Sequence, residues 1–587
     1  METSKPVQAI DLPDNARPTA GATIAATPDA PAVRFEKYTP ALYLLFGLLW
    51  LLNIHSTLLT EPDEGRYAEI PREMLVSGDW VTPHLNGIVY FEKPPLQYWI
   101  TAAAYAVFGT EPWVSRLWTW VSSGLGALVC VLAGTWLFGR QAGLLAGMIL
   151  LSSPLYFVVG HINTLDAGLT LWMTVSMLAL LVAKARVSTR PPPRVWMWVA
   201  WAAAALGFLS KGPIALAIPV LTMLAYAALT RSLTIFKDCE LVRGGALFTV
   251  IALPWYALAA ARNPEFLNFF FVHENLARYA TNGHARTAPW WFLVVVLFAG
   301  MLPWITAALR GWYEAIVATK RDAFSPLTYL AVHAAVLLLF FSASSSKLAP
   351  YIAPATPALA LLAAVWIDRR AGTSGFLASA AVGGCVFLAG APLLLWRLRS
   401  GGEGAESEQF LPWVVAAGVV WLLGALIAML VRRRLPAAAP AVIVALACLV
   451  GLQLLMSGLP VFATSRSAQP VAAALERSDS RHAPLYMVGT YLQGLPFYLR
   501  RTAIVVDYTG ELEVQLDHRQ RNWLPSLEVF ANRWRQEERP VAVIDRRHWN
   551  DVVSLGLSLE RLYEDSRLIV VRKGSSPAAA SVFQVQP

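Results

Sequence analysis

The chain carries its chemistry in a few short polar islands set among apolar runs. The first, LLTEPDEGRYAEIPREML, starts at Leu58 and holds Glu61, Asp63, Glu64, Arg66, Glu69, Arg72 and Glu73. YFEKPPLQYW follows, with Tyr90, Glu92 and Lys93. Then come GHINTLDAG with His161 and Asp166, LSKGP with Lys211, FFFVHENLARY with His273 and Glu274, and SSSKLAPYIAP with Lys347 and Tyr351. Carboxylates orient a substrate or accept a proton. Lysine and arginine recognise phosphate. Several cations beside acids, at the edge of greasy segments, suit a phosphate or diphosphate held at lipid level. Asp63 stands where a helix N-cap would, with Glu64 and Glu69 favourable early in that helix. A capped, solvated helix accounts for one acid, not for seven charges in one stretch.

The surrounding elements are membrane helices. Of the 587 residues 56% are hydrophobic and 14% charged, against roughly 25% charged in soluble domains. Span-length apolar runs fall near 41–60, 114–138, 141–160, 165–184, 195–210, 212–230, 245–262, 290–309, 325–342, 349–367, 375–397, 412–431 and 438–458. That predicts about thirteen transmembrane helices. The stretch 94–109 is short for a span. If it does not cross, and the N-terminus is cytoplasmic, the basic clusters at Arg140, Lys184–Arg194, Arg231–Arg243, Arg310–Arg321, Arg369–Arg370 and Arg432–Arg434 all face the cytoplasm. If it crosses, all move outside. We therefore read 94–109 as interfacial or re-entrant, which places the polar islands on the outer face. Lysines kept on the side where positive charge is disfavoured mark a functional site.

Residues 1–37 read as a disordered cytoplasmic tail, 38–458 as the membrane domain with 61–112 as its first outer loop, and 459–587 as an outer domain. In the last, LYMVG, AIVVD, VAVID and LIVVR are short β-rich runs separated by polar or helical stretches, an α/β pattern. The formal charge of +9 fits basic loops in a membrane protein, so nucleic acid is not an expected partner. Cys130, Cys239, Cys385 and Cys448 lack metal spacing. Charges crowd one face and leave the spans nearly empty, which argues against a transporter with a midplane site.

EPDEGRYAEIPREML, YFEKPPLQYW, NTLDAG, SKGP and SKLAPYIAPATPALA together resemble the motifs of membrane glycosyltransferases that use a polyprenyl-phosphate sugar donor. These are the protein O-mannosyltransferase-like GT-C family, including its lipid A aminoarabinose transferases. The resemblance covers the membrane region. It implies a GT-C-like fold, with interfacial helices in the first outer loop, and acids at Asp63 and Asp166 in catalytic positions. It implies transfer of 4-amino-4-deoxy-L-arabinose from undecaprenyl phosphate to a phosphate of lipid A, at the periplasmic face of the bacterial inner membrane. A less anionic lipid A and resistance to polymyxin would follow. The alternative is a transferase acting on a protein or glycan hydroxyl, with Asp63 as general base.

For donor phosphate the candidates are Lys93, Arg66, Lys211, Lys347 and Tyr351. Glu64, Tyr90 and His161 are expected to line the substrate. Glu92 and His273 offer a carboxylate and an imidazole for a divalent metal such as zinc, which enzymes of this resemblance can use beside the lipid phosphate. Loop 263–289 is long enough to form a lid.

Overall fold

The computed structural model describes residues 30–574, apart from 56–57, 186–192, 278–287, 320–322, 371–374, 401–403, 436–437, 479, 481 and 511–521. Helix α1 (Ala30–Trp50) begins inside the segment read as a disordered tail. Its first turns, APAVRFEK, include good helix formers that let the span extend backward. Residues 1–29 lie outside the described part.

Two polar elements follow α1. Helix α2 (Asp63–Ser77) has Pro62 at its N-cap position with no side-chain cap, so Asp63 is its first helical residue and not the expected cap. Strands β1 (His84–Leu85) and β2 (Ile88–Val89) form a two-stranded hairpin. Its Asn86-Gly87 turn has φ of 58° and 73°, the left-handed pair that a tight two-residue hairpin requires. Helix α3 (Leu96–Phe108) has 13 residues, about 20 Å at 1.5 Å per residue. It is too short for a hydrocarbon core of about 30 Å.

The bundle continues through α4 (Pro112–Phe138), α5 (Arg140–Leu151), α6 (Pro154–His161), α7 (Asp166–Ala185), α8 (Pro193–Lys211), α9 (Ile214–Thr230) and α10 (Leu241–Arg262). It ends with α11 (Phe292–Gly300), α12 (Ile305–Val317), α13 (Pro326–Ala343), α14 (Thr356–Arg369), α15 (Gly375–Ser400), α16 (Gly404–Val431) and α17 (Ala439–Gly458). Among the described residues, 8 helices are long and apolar enough to cross a bilayer, or up to 10 if two bent pairs count as spans. The thirteen apolar runs therefore do not translate one to one into straight spans. The run at 141–160 is bent by 63° between α5 and α6, and the run at 290–309 by 111° between α11 and α12. Pro40–Trp50 and α9 are apolar but shorter. At the centre, α7 and α14 are almost wholly buried, and the alanines of α14 let neighbouring backbones approach.

The C-terminal unit is a six-stranded mixed sheet. Strands β3 (Leu485–Val488), β4 (Ile504–Val506), β5 (Trp523–Leu524) and β6 (Val541–Asp545) run parallel in the order β5-β4-β3-β6. Strand β8 (Leu568–Lys573) then pairs antiparallel with β6, and β7 (Leu559–Glu564) with β8. All four strands expected from the sequence are present. Strand β3 is buried along its whole length, as a central parallel strand must be.

Candidate active site

The charged side chains fall into two groups. The first surrounds a cavity of about 430 Å³. Lys93 reaches it from the segment after β2, Asp166 from the first turn of α7, Lys211 from the last turn of α8, and Tyr351 from a 3-10 turn (Ala349–Ala355) leading into α14. The ammonium of Lys211 donates to Asp166 Oδ1 at 2.5 Å and sits 4.7 Å from the centre of the Tyr351 ring. Lys93 donates to Glu274 Oε2 at 3.1 Å and to the carbonyl of Glu92 at 2.8 Å. Leu169, Ile214, Phe271, Phe340 and Phe341 form an apolar wall. The space is thus amphiphilic, lined by two lysines with their acids, Asn275, Ser344 and Ser346, and by an apolar wall. Each lysine is held by a carboxylate that an incoming anion can replace.

The second group is built on α2. Arg66 is almost fully buried, and its Nε donates to Gln493 Oε1 at 2.6 Å while Nη1 donates to the Tyr90 hydroxyl at 3.2 Å. Nη1 also lies 3.7 Å from Asp63 Oδ1 and 4.0 Å from Glu92 Oε2. Asp63 keeps 44% of its side chain exposed. Tyr67 packs beside Arg66, its ring centre 5.8 Å from the guanidinium. Burial pushes its hydroxyl well above the usual range, with Asp63, Glu92 and Asp166 adding to the rise and Arg66 opposing it. Burial likewise raises Tyr90, so both hydroxyls stay neutral and can donate.

Several other expected site residues are not gathered round this cavity. Glu64 is buried and accepts from Arg116 Nε and Nη2 at 2.7 and 2.8 Å, from the Asn163 amide at 2.8 Å and from Thr60. Burial alone would raise its carboxyl, but the Arg116 charge and these donors hold it below the usual value. It does not line the cavity. His161 is buried in α6, with its ring nitrogens against the carbonyls of Phe157 and Trp50. Lys347 is 8% exposed, donates to the carbonyls of Ser344 and Ala288 at 2.5 and 3.1 Å, and is absent from the cavity lining. A cation inside grease satisfies its donors with whatever oxygens are near, and here these are backbone. Glu92 lies beside Arg66, and His273 stacks on Phe269 at 5.5 Å. Among the described residues no three His, Cys, Asp or Glu side chains converge. Residues 278–287 of the loop read as a lid lie outside the described part.

The contacts of three other residues emerge from the fold. Glu274 is the partner of Lys93. Arg116, an arginine inside an apolar run, was visible as an ionisable group out of place. Glu61 accepts from the amides of Gln493 and Gly494, each at 2.8 Å. Burial pushes its carboxyl up to about 7 against those two donors. No local signal ties residue 61 to residue 493.

Two family models match the chain. Residues 37–270 fit the dolichyl-phosphate-mannose-protein mannosyltransferase family, and 471–573 fit the aminoarabinose transferase C-terminal domain. An undecaprenyl phosphate-alpha-4-amino-4-deoxy-L-arabinose arabinosyl transferase of Pseudomonas fluorescens Pf-5 is 37% identical over 60% of this chain, and the match spans only 60% of that relative's own length. The Edwardsiella ictaluri enzyme of the same name is 32% identical over 81% of this chain and 87% of its own. The crystal structure of ArnT from Cupriavidus metallidurans bound to undecaprenyl phosphate aligns with a TM-score of 0.87 at 31% identity. It covers 93% of this chain and 99% of that one. Shared fold along nearly the full length, with identity above 30%, is the mark of common descent: this chain belongs to the undecaprenyl phosphate-aminoarabinose arabinosyl transferase family.

Proposed function

We propose that the protein moves 4-amino-4-deoxy-L-arabinose from undecaprenyl phosphate to a phosphate of lipid A, at the periplasmic face of the inner membrane. The observation that carries this reading is the cavity in which Lys93 and Lys211 stand against an apolar wall. That is the shape and charge of a polyprenyl phosphate head. The orientation rests on the two ends of α7 and α8. Asp166 and Lys211 meet at one end, while Lys184, about 27 Å along α7 at 1.5 Å per residue, donates to the Lys237 carbonyl among the basic loops. Positive loops face the cytoplasm, so the cavity and the C-terminal sheet face out.

The chemistry follows from the acceptor. A phosphate monoester has a second pKa near about 6 and is already anionic at neutral pH. Its oxygen attacks the anomeric carbon, and the bond from that carbon to the lipid phosphate breaks. The electron pair leaves with undecaprenyl phosphate. Lys93 and Lys211 then exchange Glu274 and Asp166 for the leaving phosphate, and stabilise its charge as it forms. Asp166, released from Lys211, and Asp63 orient the sugar through its hydroxyls and amine. No general base is required.

The test is lipid A mass spectrometry in a host lacking the gene, grown under modification-inducing conditions. Loss of the aminoarabinose mass increment, restored by the wild-type gene and not by Asp63→Ala, is expected. Lipid A unchanged by the deletion would overturn the reading.

A further inference from the structure

The role of the C-terminal sheet is the open question, and one loop answers it. The segment after β3 reads TYLQGLPFY, and its residues 493 and 494 touch α2 and Glu61 just ahead of it at three points. The Glu61 carboxylate takes both of their backbone amides at 2.8 Å. The Gln493 side chain takes the Nε proton of Arg66 at 2.6 Å. Between these, Gly65 packs so tightly that a Cβ there would lie 2.4 Å from the Gly494 nitrogen. Gln493 is itself 1% exposed. Asp63 is thus bracketed: the residue two before it and the residue three after it are both fastened to one loop of the distant domain.

The bracket has a directional consequence. A guanidinium is planar, so an acceptor fixed on Nε sets the plane that carries both Nη nitrogens. With Nε on Gln493, Nη1 is aimed at the Tyr90 hydroxyl and at the side where Asp63 and Glu92 lie. Without Gln493, the buried Nε loses this acceptor, and the plane can turn toward either acid. The hairpin tip adds a second anchor. Asn86 exchanges two hydrogen bonds with the Ala503 backbone, at 2.8 Å each, as a neighbouring strand would.

We propose that Gln493 is a positioning residue of the transfer reaction, through which the C-terminal α/β unit orients Arg66 and thereby holds Asp63 in place. This rests on the proposed aminoarabinose transfer. It gives the C-terminal unit a part in the active site although, among the described residues, none of its side chains lines the cavity.

The experiment uses the full-length protein in detergent or nanodiscs, with three readouts for Gln493→Ala and Gln493→Glu. The first is transfer kinetics with aminoarabinose-undecaprenyl phosphate and lipid A. The second is affinity for undecaprenyl phosphate alone. The third is amide hydrogen exchange across residues 61–74. For Gln493→Ala we expect kcat at least tenfold lower, donor KM and undecaprenyl phosphate affinity within twofold of wild type, and faster exchange at 61–66. Gln493→Glu keeps an acceptor oxygen for Nε and should regain most of kcat. Wild-type kcat in Gln493→Ala overturns the proposal. So does equal loss in both variants with undecaprenyl phosphate affinity falling in step, since that is a folding defect. If wild-type protein itself transfers no aminoarabinose, the functional reading fails. The exchange readout then still decides whether Gln493 orders α2, and unchanged exchange rejects that too.

Discussion

The two charged groups use the same residue types to opposite ends. Around the cavity, Lys93 and Lys211 each pair with one carboxylate whose side chain is at most 10% exposed, yet both pairs border open space. Around α2, beside the Arg66 cluster, two further pairs, Glu64–Arg116 and Glu69–Arg72, are almost wholly buried and form a closed set. A cation that faces space can trade its partner for a ligand. A cation enclosed by donors and acceptors cannot, and only holds elements together. Burial alone therefore does not identify a binding cation; the free volume beside it does.

The largest effect should come from breaking the closed group. Arg116→Ala leaves the Glu64 charge buried and unpaired, which costs about 3–5 kcal/mol. Little folded protein is expected, read by thermal melting in detergent. Melting like that of wild type would show that the enclosed pair carries no load. The open group should behave differently. Lys211→Ala removes one charged contact to phosphate, about 1.5–3 kcal/mol, so undecaprenyl phosphate affinity should fall roughly 10- to 150-fold with melting little changed. Unaltered affinity would move the phosphate elsewhere.

Asp63→Asn sharpens the distinction between acceptors. With an anionic phosphate acceptor, the loss in transfer rate should be about 10- to 100-fold, a cost of orientation. A drop of about 10²- to 10⁴-fold would point to a general base and so to a hydroxyl acceptor. The smallest effect is expected at Lys347. Lys347→Met should keep undecaprenyl phosphate affinity within about twofold, because its ammonium is spent on two carbonyls. It should cost about 1–3 kcal/mol of stability for the acceptors left behind. A tenfold loss of affinity would place Lys347 in the open group after all.

The same contrast explains what was legible beforehand. Lys93, Asp166, Lys211 and Tyr351 each lie in a short polar island between apolar runs, and that signal is local; the structure gathers all four round one cavity. Lys347, Glu64 and His161 give the same local signal but face backbone or an enclosed arginine, a difference of direction that composition does not carry. Helix existence was equally legible, since apolar length is local. Bends such as the 111° turn between α11 and α12 were not read, although Pro303 stands in that break and Pro154 directly after the other. The attachment of Glu61 and Arg66 to Gln493 was the least visible. Glutamine is an ordinary loop residue, and nothing near it announces a partner 427 positions away.

That separation also sets a timetable. A ribosome adding about 5–20 residues per second takes roughly 20 to 90 s to travel from Arg66 to Gln493. In the last part of that interval, once residue 351 has been made, the nascent chain already owns Lys93, Asp166, Lys211 and Tyr351, and can assemble a lipid-binding cleft. It cannot yet seat its arginine. Competence to hold the carrier lipid would therefore precede competence to discharge it, so that a half-made molecule waits loaded and silent until its last domain arrives.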